Sequence, residues 1–307
     1  MPSILDYQKR NLPLSRQRGL STVPAVFATL LLASGPTMAV DVDAGDYTAL
    51  PAGTNLAMGY YQFATRDALY SDGNKAPINA GLDSHIGILR GVHFTEIAGY
   101  IVDPQFLLPV GKLEGKDDTS GLGDASGIGD LTLAATVWLV NEPESNTYFG
   151  ITPFVFAPTG SYDKKDALNL GENRWKYALQ AGFITGLTPN ISLDLAGDVT
   201  FYGENDEFGA SNATLKQDPS YQLQGYLRYH MSSQWDLRAG VSHTLGGETK
   251  VNGIDQDNRM SYTKMTLGTA WFATPSLQLL ANYGTDLSIR NGFKEQHRIN
   301  LRILKAF

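Results

Sequence analysis

Charged side chains recur at alternate positions through the second half of this sequence, and the arginines among them can bind anions. Arginine guanidinium groups pair with carboxylates and stack on aromatic rings. Two roles are open: a ladder of opposite charges across neighbouring strands, or a charged constriction that selects small anionic or aromatic solutes. In the second role, Arg228, Arg298 and Arg302 would line the path. The full set is Asp194, Asp198, Arg228, Arg238, Asp286, Arg290, Arg298 and Arg302.

The triplet His230-Met231-Ser232 has a spacing that could place a nucleophile beside a general base. Such a pair would suit a barrel enzyme that hydrolyses lipid. However, the triplet falls at a predicted turn, His230 has the inward parity of its strand, and no third group that would orient the histidine is apparent. We therefore expect no enzyme, and a lipid hydrolase remains an alternative function.

No metal, cofactor or nucleic-acid site is expected. The chain has no cysteine, and its five histidines do not pair with carboxylates at ligand-like spacing. Without residues 1–39, 20 basic and 30 acidic side chains remain, a formal charge of −10 that disfavours nucleic-acid binding. The histidines are His85, His93, His230, His243 and His297.

These side chains must be positioned by strands, because apolar and polar residues alternate with period two through most of the chain. Over residues 220–231, for example, Tyr221, Leu223 and Leu227 alternate with glutamine, arginine and histidine. No apolar run reaches the roughly 18 residues that a membrane-spanning helix needs. The pattern predicts a sheet with one lipid-facing and one hydrated surface.

The connections divide into two kinds. Short turns centred near residues 96, 143, 189, 233 and 275 recur every 42 to 47 residues, and longer polar stretches separate them. Short periplasmic turns opposite long extracellular loops are typical of outer-membrane barrels. The polar stretches are residues 67–81, 111–126, 158–173, 205–217, 247–258 and 291–295.

The fold class that follows is all-β: a transmembrane antiparallel β-barrel of about twelve strands over residues 55–307. An open sheet edge in lipid would leave backbone groups unpaired, so the barrel is expected to close. The predicted strands are 55–66, 82–93, 98–110, 127–140, 147–157, 174–187, 191–203, 220–231, 235–246, 259–272, 277–290 and 296–307.

The N-terminus predicts export to the bacterial outer membrane. Residues 1–39 combine early lysine and arginine, an apolar core over residues 25–33 and a small-residue cleavage site at Thr37-Met38-Ala39, the pattern of a cleaved signal peptide. Residues 40–54 are then either a periplasmic tail or a plug in the barrel. At the other end, the terminal aromatic Phe307 resembles the insertion signal that the barrel-insertion machinery reads.

Two stretches resemble a known family. Residues 127–131 (GIGDL), followed by Val137-Trp138, and residues 157–163 (APTGSYD), leading to residues 170–175 (LGENRW), are similar to the outer-membrane family named for the meta-pathway of phenol degradation. The resemblance implies a role in the uptake or handling of aromatic compounds. The motif positions are Gly127, Gly129, Asp130, Pro158, Gly160, Tyr162, Gly171, Asn173 and Trp175.

We expect these motif residues to order the loops at the barrel rim. Glycine permits sharp bends, and Asp130 and Asn173 can bond to backbone groups. Tyr162 and Trp175 suit an interfacial aromatic girdle. The expected function is a pore for passive uptake of small solutes, aromatic, phenol-related compounds among them, with outer-membrane lipid as its surroundings. A structural or adhesive barrel is a third alternative.

Overall fold

The alternating pattern produces a closed barrel. The computed structural model describes residues 41–307, so the predicted signal peptide lies outside the described residues. Within that range twelve long antiparallel strands each pair with the next in sequence, and the last pairs with the first. The predicted twelve-strand antiparallel barrel is confirmed. Among residues 41–307, no helix is long and apolar enough to cross a membrane.

The barrel strands, numbered in chain order, are β1 (Asn55–Ser71), β2 (Ala80–His93), β3 (Tyr100–Asp117), β4 (Leu131–Glu142), β5 (Thr147–Ala157), β6 (Lys176–Thr188), β7 (Ile191–Tyr202), β8 (Ser220–His230), β9 (Trp235–Gly246), β10 (Met260–Thr274), β11 (Leu277–Ile289) and β12 (Gly292–Ala306). Shorter strands are Asn74–Lys75, Thr95–Ile97, Asp124–Ile128, Asn205–Phe208, Ala213–Gln217, Thr249–Val251 and Ile254–Asp255, and two 3-10 turns are Ser120–Leu122 and Pro143–Ser145.

Most outer connections are long, as predicted, but the last is not. Residues 290–291 alone join β11 to β12, so the polar stretch 291–295 belongs mainly to β12 and is not a loop. The outer loops also contain a small sheet of their own, formed by the four short strands between residues 205 and 255. These loops therefore extend the barrel wall on the extracellular side.

The two faces of the strands differ as the alternation requires. On β8, Leu223 and Leu227 are exposed on the outer surface, whereas Gln222, Gln224 and Arg228 are buried inside. The outward face changes from apolar to charged near the extracellular ends of β2 and β3. There Lys116 pairs with Asp83, and Lys112 pairs with Glu114. Outward-facing charges are costly in hydrocarbon, so this charged band marks the outer limit of the apolar zone.

Two buried hydrophobic clusters lie at different heights inside the barrel. One surrounds Tyr47 and includes Trp138 and Ile184 near the periplasmic turns. The other surrounds Leu113 near the extracellular rim and includes Leu168 from the loop of residues 158–175. Both clusters therefore contain residues from outside the barrel strands, and these segments divide the interior.

Candidate functional site: the barrel interior

Residues 41–50, here called the N-terminal segment, lie inside the periplasmic half of the barrel. Ala44, Tyr47 and Ala49 are each less than 8% exposed. The segment contacts side chains that point inward from both sides of the barrel, including Gln180 of β6 and Arg302 of β12. Its position is set by polar contacts as well as by packing.

Arginines of the barrel wall hold the acidic side chains of this segment. Nη1 of Arg302 lies 3.2 Å from an Asp43 carboxylate oxygen and 2.7 Å from one of Asp46. Arg90 lies on β2, which pairs with β1 on the side away from β12, and it donates to Asp46 at 3.0 Å. Because the Arg302 side chain is only 4% exposed, these ion pairs are largely shielded from water.

The backbone of the segment is also bound. The amide of Gly45 donates to Asp194 Oδ2 at 2.5 Å, and Arg238 donates to the carbonyl oxygen of Ala44 at 2.8 Å. Arg228 holds the other carboxylate oxygen of Asp194 at 3.0 Å. The predicted residues Asp194, Arg228, Arg238 and Arg302 therefore meet around one short stretch of the chain.

Tyr47 occupies a space that two glycines leave in the wall. A Cβ atom added at Gly182 would lie 2.1 Å from Tyr47 Cδ2, and one added at Gly150 would lie 3.3 Å from Cδ1. The ring meets Trp138 edge-on, with centroids 5.7 Å apart. The Tyr47 hydroxyl is within hydrogen-bond distance of Thr152 (2.9 Å) and donates to Gln180 (3.0 Å).

Above the segment a cavity of about 370 Å³ opens toward the extracellular loops, and we call it the vestibule. One wall is apolar and is formed by β2, β3 and β5. The wall that continues from β2 into β1 and β12, and on to β11 and β10, is charged. The main apolar residues are Ile86, Ile88, Leu107, Leu113, Phe154 and Phe156.

The charged wall centres on Glu295, whose carboxylate is bound by three cations. Its oxygens lie 2.5 Å from Arg66 Nη2, 2.8 Å from Lys264 Nζ and 2.7 Å from Arg298 Nη2. Asp286 accepts a hydrogen bond from the backbone amide of Glu295 at 2.7 Å. The predicted residues Asp286 and Arg298 thus belong to this upper cluster, apart from the residues around the N-terminal segment.

The remaining predicted charges lie elsewhere. Asp198 lies between the residues around the N-terminal segment and the Glu295 cluster, and it accepts a hydrogen bond from Gln180 at 3.2 Å. The placement of Arg290 inside the barrel is wrong: β11 ends at Ile289, and the chain turns before the arginine can point inward. Arg290 is exposed at the rim, where it pairs with Asp72 at 2.5 Å.

A loop covers part of the vestibule, and the family-like motif residues fix it. Asp130 accepts hydrogen bonds from the amides of Gly160 (2.9 Å) and Glu172 (3.0 Å), one on each limb of the loop of residues 158–175. The limbs touch at Gly160 and Gly171, where an added Cβ would lie 2.6 Å from the facing backbone. The tip of the loop places Leu168, only 4% exposed, in the outer hydrophobic cluster.

The carboxylate of Glu172 anchors the same loop to the rim. It binds Arg174 at 2.7 Å and pairs with Lys176. Burial would raise the pKa of Glu172, but these two cations lower it to about 2. Burial raises the pKa of Asp130 above its ordinary value, because desolvation outweighs the two amide hydrogen bonds.

Other motif residues contribute to loop contacts, in two cases differently from expectation. Asn173 donates to the side chain of Asn205 at 3.1 Å and not to the backbone. Tyr162 is not a girdle residue, since its hydroxyl donates to the carbonyl oxygen of Glu207 at 2.9 Å and it lines the vestibule. Trp175 is 49% exposed just before β6.

The glycines and Pro158 lie where the loops leave the strands. Gly127 has a φ of +147°, and an added Cβ there would lie 2.2 Å from Ser161 Oγ. Gly129 approaches Pro109 closely, with 2.9 Å between an added Cβ and Pro109 Cβ. Pro158 follows the end of β5 at Ala157. These close approaches leave no room for larger side chains.

The two chain ends of the barrel meet at the periplasmic side. Phe307 follows the last residue of β12, and its amide donates to the Asn55 carbonyl oxygen at 3.0 Å. The amide of Asn55 donates back to the Phe307 carbonyl oxygen at 3.3 Å. The side chain of Phe307 is 69% exposed. The terminal aromatic thus ends the seam between the first and last strands.

The pair of His230 and Ser232 that the sequence spacing suggested is not in contact. His230 Nε2 is 2.8 Å from Ser192 Oγ on the neighbouring strand, while Ser232 Oγ accepts a hydrogen bond from the Gln234 amide. Ser192 is 1% exposed and also binds Asn146 at 2.7 Å. Within residues 41–307, no three histidines, aspartates or glutamates are grouped so that they could hold a metal ion.

Several interior residues were missed by the sequence analysis. Arg66, Arg90 and Lys264 have the inward parity of their strands, so the same alternation rule could have found them. Glu295 and the N-terminal aspartates had no such signal. Glu295 lies between two register shifts in the β1–β12 pairing, and the aspartates belong to no strand.

A family model described as "Putative MetA-pathway of phenol degradation" matches residues 65–303. The chain belongs to this family. The match covers most of the barrel, so the resemblance seen in the two motifs is confirmed. A search of curated protein sequences finds no match.

Solved structures agree with this assignment. The COG4313 outer membrane channel from Pseudomonas putida F1 is 43% identical, with a TM-score of 0.84, and the match covers 87% of this chain and 100% of that chain. The transport unit of the autotransporter AIDA-I from Escherichia coli is 10% identical, with a TM-score of 0.52 and coverage of 91% and 97%. The second likeness shows the fold alone. The protein is an outer-membrane β-barrel.

Proposed function

We propose that this protein is a passive outer-membrane channel for small aromatic solutes and not an enzyme. The observation that carries the proposal is the vestibule, an open cavity that combines a wall of aliphatic and aromatic side chains with charged groups. Sites for small molecules are mostly apolar, with a few polar groups that orient the ligand. The similar Pseudomonas putida protein is itself described as an outer membrane channel, and the family description refers to phenol degradation.

In this proposal the N-terminal segment acts as a plug that constricts the periplasmic half. Arg302 and Arg90 bind its carboxylates, and Tyr47 fills the space beside Gly182. Arg228 and Arg238 take part in the constriction by fixing the segment through Asp194 and Ala44. A solute must pass beside this segment or displace it.

Liposome swelling with purified mature protein tests the channel. The panel comprises sugars of increasing size, benzyl alcohol and phenolic glycosides, with empty liposomes as the reference. Entry of the aromatic compounds at rates above those of sugars of equal mass supports the proposal. A barrel that remains impermeable to the whole panel, both intact and with residues 41–50 deleted, would refute it.

A lipid hydrolase is disfavoured by the burial of Ser192 beside His230. Phospholipase activity of the purified barrel, compared with Ser232→Ala and Ser192→Ala variants, provides the check. We expect equal background rates in all three proteins.

Phe307 is proposed as the insertion signal for the barrel-insertion machinery. Its side chain is exposed at the end of the last strand, where a second protein can bind it. We expect a Phe307→Ala variant to reach the outer membrane in reduced amount, as measured by fractionation. Tyr221→Ala, a change to an exposed aromatic within β8, serves as the control and should insert normally.

A further inference from the structure

Three positive side chains contact one carboxylate in the vestibule, that of Glu295. Arg66, Lys264 and Arg298 all bind the Glu295 carboxylate. The second carboxylate in the cluster, Asp286, uses one oxygen to accept the Glu295 amide, and its other oxygen has no partner among residues 41–307. Three cations therefore share one carboxylate, and their remaining N–H groups can bind another anion.

The geometry identifies which donors are available. Two atoms of the Arg298 guanidinium group, Nε and Nη2, are used by Glu295. The third, Nη1, has its nearest carboxylate, that of Asp41, at 4.0 Å, beyond hydrogen-bond distance. The side chain of Arg298 is 22% exposed and that of Lys264 is 11% exposed, and both line the vestibule. A ligand in the cavity can therefore reach both groups.

Two aromatic rings also line the vestibule, and Lys176 Nζ lies 4.8 Å from the centroid of one of them, Phe156. Phe154 and Phe156 are stacked with centroids 6.3 Å apart and an interplanar angle of 20°. Ile86, Ile88 and Leu107 extend this wall. Aromatic rings pack favourably against one another in offset-stacked or edge-on arrangements, so the ring of a ligand can pack against these side chains.

We propose that the vestibule binds aromatic carboxylates, with the ring against the Phe154–Phe156 wall and the carboxylate bound by Lys264 and Arg298. This inference rests on the proposed channel function and names the substrate class of its vestibule. A neutral aromatic molecule would use the wall alone, and a small carboxylate would use the cations alone. An aromatic acid uses both at once.

A phenol matches this site less well than a benzoate. A phenolic hydroxyl has a pKa of about 10 and is neutral at pH 7, whereas a carboxyl group is ionised. Charge-assisted hydrogen bonds from arginine or lysine to a carboxylate are roughly twice as strong as those between neutral groups. The cluster should therefore favour ring-bearing acids over the corresponding alcohols and amides.

Calorimetric titration of the full mature barrel in detergent tests the site without requiring transport. Benzoate, benzamide and acetate are the three probes, since benzamide lacks the charge and acetate lacks the ring. We expect benzoate to bind at least about tenfold more tightly than either, a difference of about 1.4 kcal/mol. Saturation should occur at one site per barrel.

Two variants and a matched control locate the binding. Lys264→Gln and Arg298→Gln should each weaken benzoate binding about tenfold and leave benzamide binding unchanged. Arg290→Gln removes an exposed rim arginine and should change neither. Each protein is first checked for the heat-dependent electrophoretic shift of a folded barrel, and two cation variants are used so that one folding failure does not decide the test.

Equal affinity for benzoate and benzamide, or unchanged benzoate affinity in both cation variants, would overturn the site. The channel proposal is tested separately by liposome swelling. Benzoate binding by a barrel that passes no solute would leave the site intact and refute the channel. Swelling of the liposomes by a barrel that shows no preference for benzoate would support the channel and refute the site.

Discussion

The two halves of the barrel interior use the same kinds of side chain to different ends. In the periplasmic half, Arg302 and Arg90 bind carboxylates from the N-terminal segment of the same chain. In the extracellular half, Arg66, Lys264 and Arg298 share the single carboxylate of Glu295 beside an open cavity. The difference is occupancy, because one half is filled by its own chain and the other leaves room for a ligand.

This contrast indicates that wall composition alone does not define a binding site in a barrel. Buried arginines that are already matched by aspartates contribute to positioning, and removing one partner leaves an uncompensated charge. Arginines with unused donors beside a cavity can bind a solute.

Removing the Tyr47 ring should release the N-terminal segment. A Tyr47→Ala variant loses its packing on Trp138 and both hydroxyl contacts, and truncation of a buried aromatic side chain costs about 3 kcal/mol. We expect a marked rise in single-channel conductance in planar bilayers. Tyr100→Ala, at an exposed position, is the control and should conduct like the original protein. Equal conductance in both variants would mean that the segment does not limit flow.

Neutralising Arg302 should loosen the same segment by a different route. Arg302→Gln removes the ion-pair partner of Asp43 and one of the two partners of Asp46, and breaking a buried ion pair costs on the order of 3 kcal/mol. Frequent switching between low and high conductance is the expected result. Arg290→Gln breaks an exposed pair worth about 0–1 kcal/mol and should leave the recordings unchanged.

Asp130 should fix the loop that covers the vestibule without affecting the N-terminal segment. Asp130→Ala leaves the Gly160 and Glu172 amides without their acceptor, a cost of about 1–3 kcal/mol confined to the loop of residues 158–175. The loop should become sensitive to trypsin while the heat-dependent electrophoretic shift persists. Asp206→Ala removes an exposed loop carboxylate as a control. Protease resistance equal to that of the control would show that Asp130 does not hold the loop.

The smallest effect concerns pH at the rim. Because Glu172 has its pKa lowered to about 2, its ion pairs stabilise the loop fully above its ordinary value of 4.5 and are lost as the pH falls toward 2. Pepsin should therefore cleave the loop slowly at pH 4 and faster at pH 2, after correction with an unfolded substrate. Glu172→Gln should be cleaved readily at both values, and a variant as resistant as the original would contradict the assignment.

The barrel was predictable because alternation records the environment of every strand residue. In β8 lipid-facing residues alternate with inward-facing ones, so strand count and facing follow from the pattern. The same rule failed at Arg290, because a two-residue turn ends the strand one position earlier. Parity holds only as far as the backbone stays extended.

The interior arrangement was less predictable for two physical reasons. The register shifts opposite Arg66 change which residues of β12 face inward, so Glu295 enters the barrel against the simple alternation. The N-terminal segment depends on space beside Gly150 and Gly182, residues more than 100 positions away. Spaces of this kind arise only when distant strands come together, and no local pattern records them.

The charged band on the outside of β2 and β3 also fixes the height of the vestibule. The strand pairings place Asp83 opposite both Thr65 and Glu114, and place the next residue, Arg66, opposite Glu295. The Glu295 cluster therefore lies level with this charged band, at the outer limit of the apolar zone. Solute capture at this height would occur in contact with the surrounding electrolyte, so ionic strength would affect loading more than passage through the lower half.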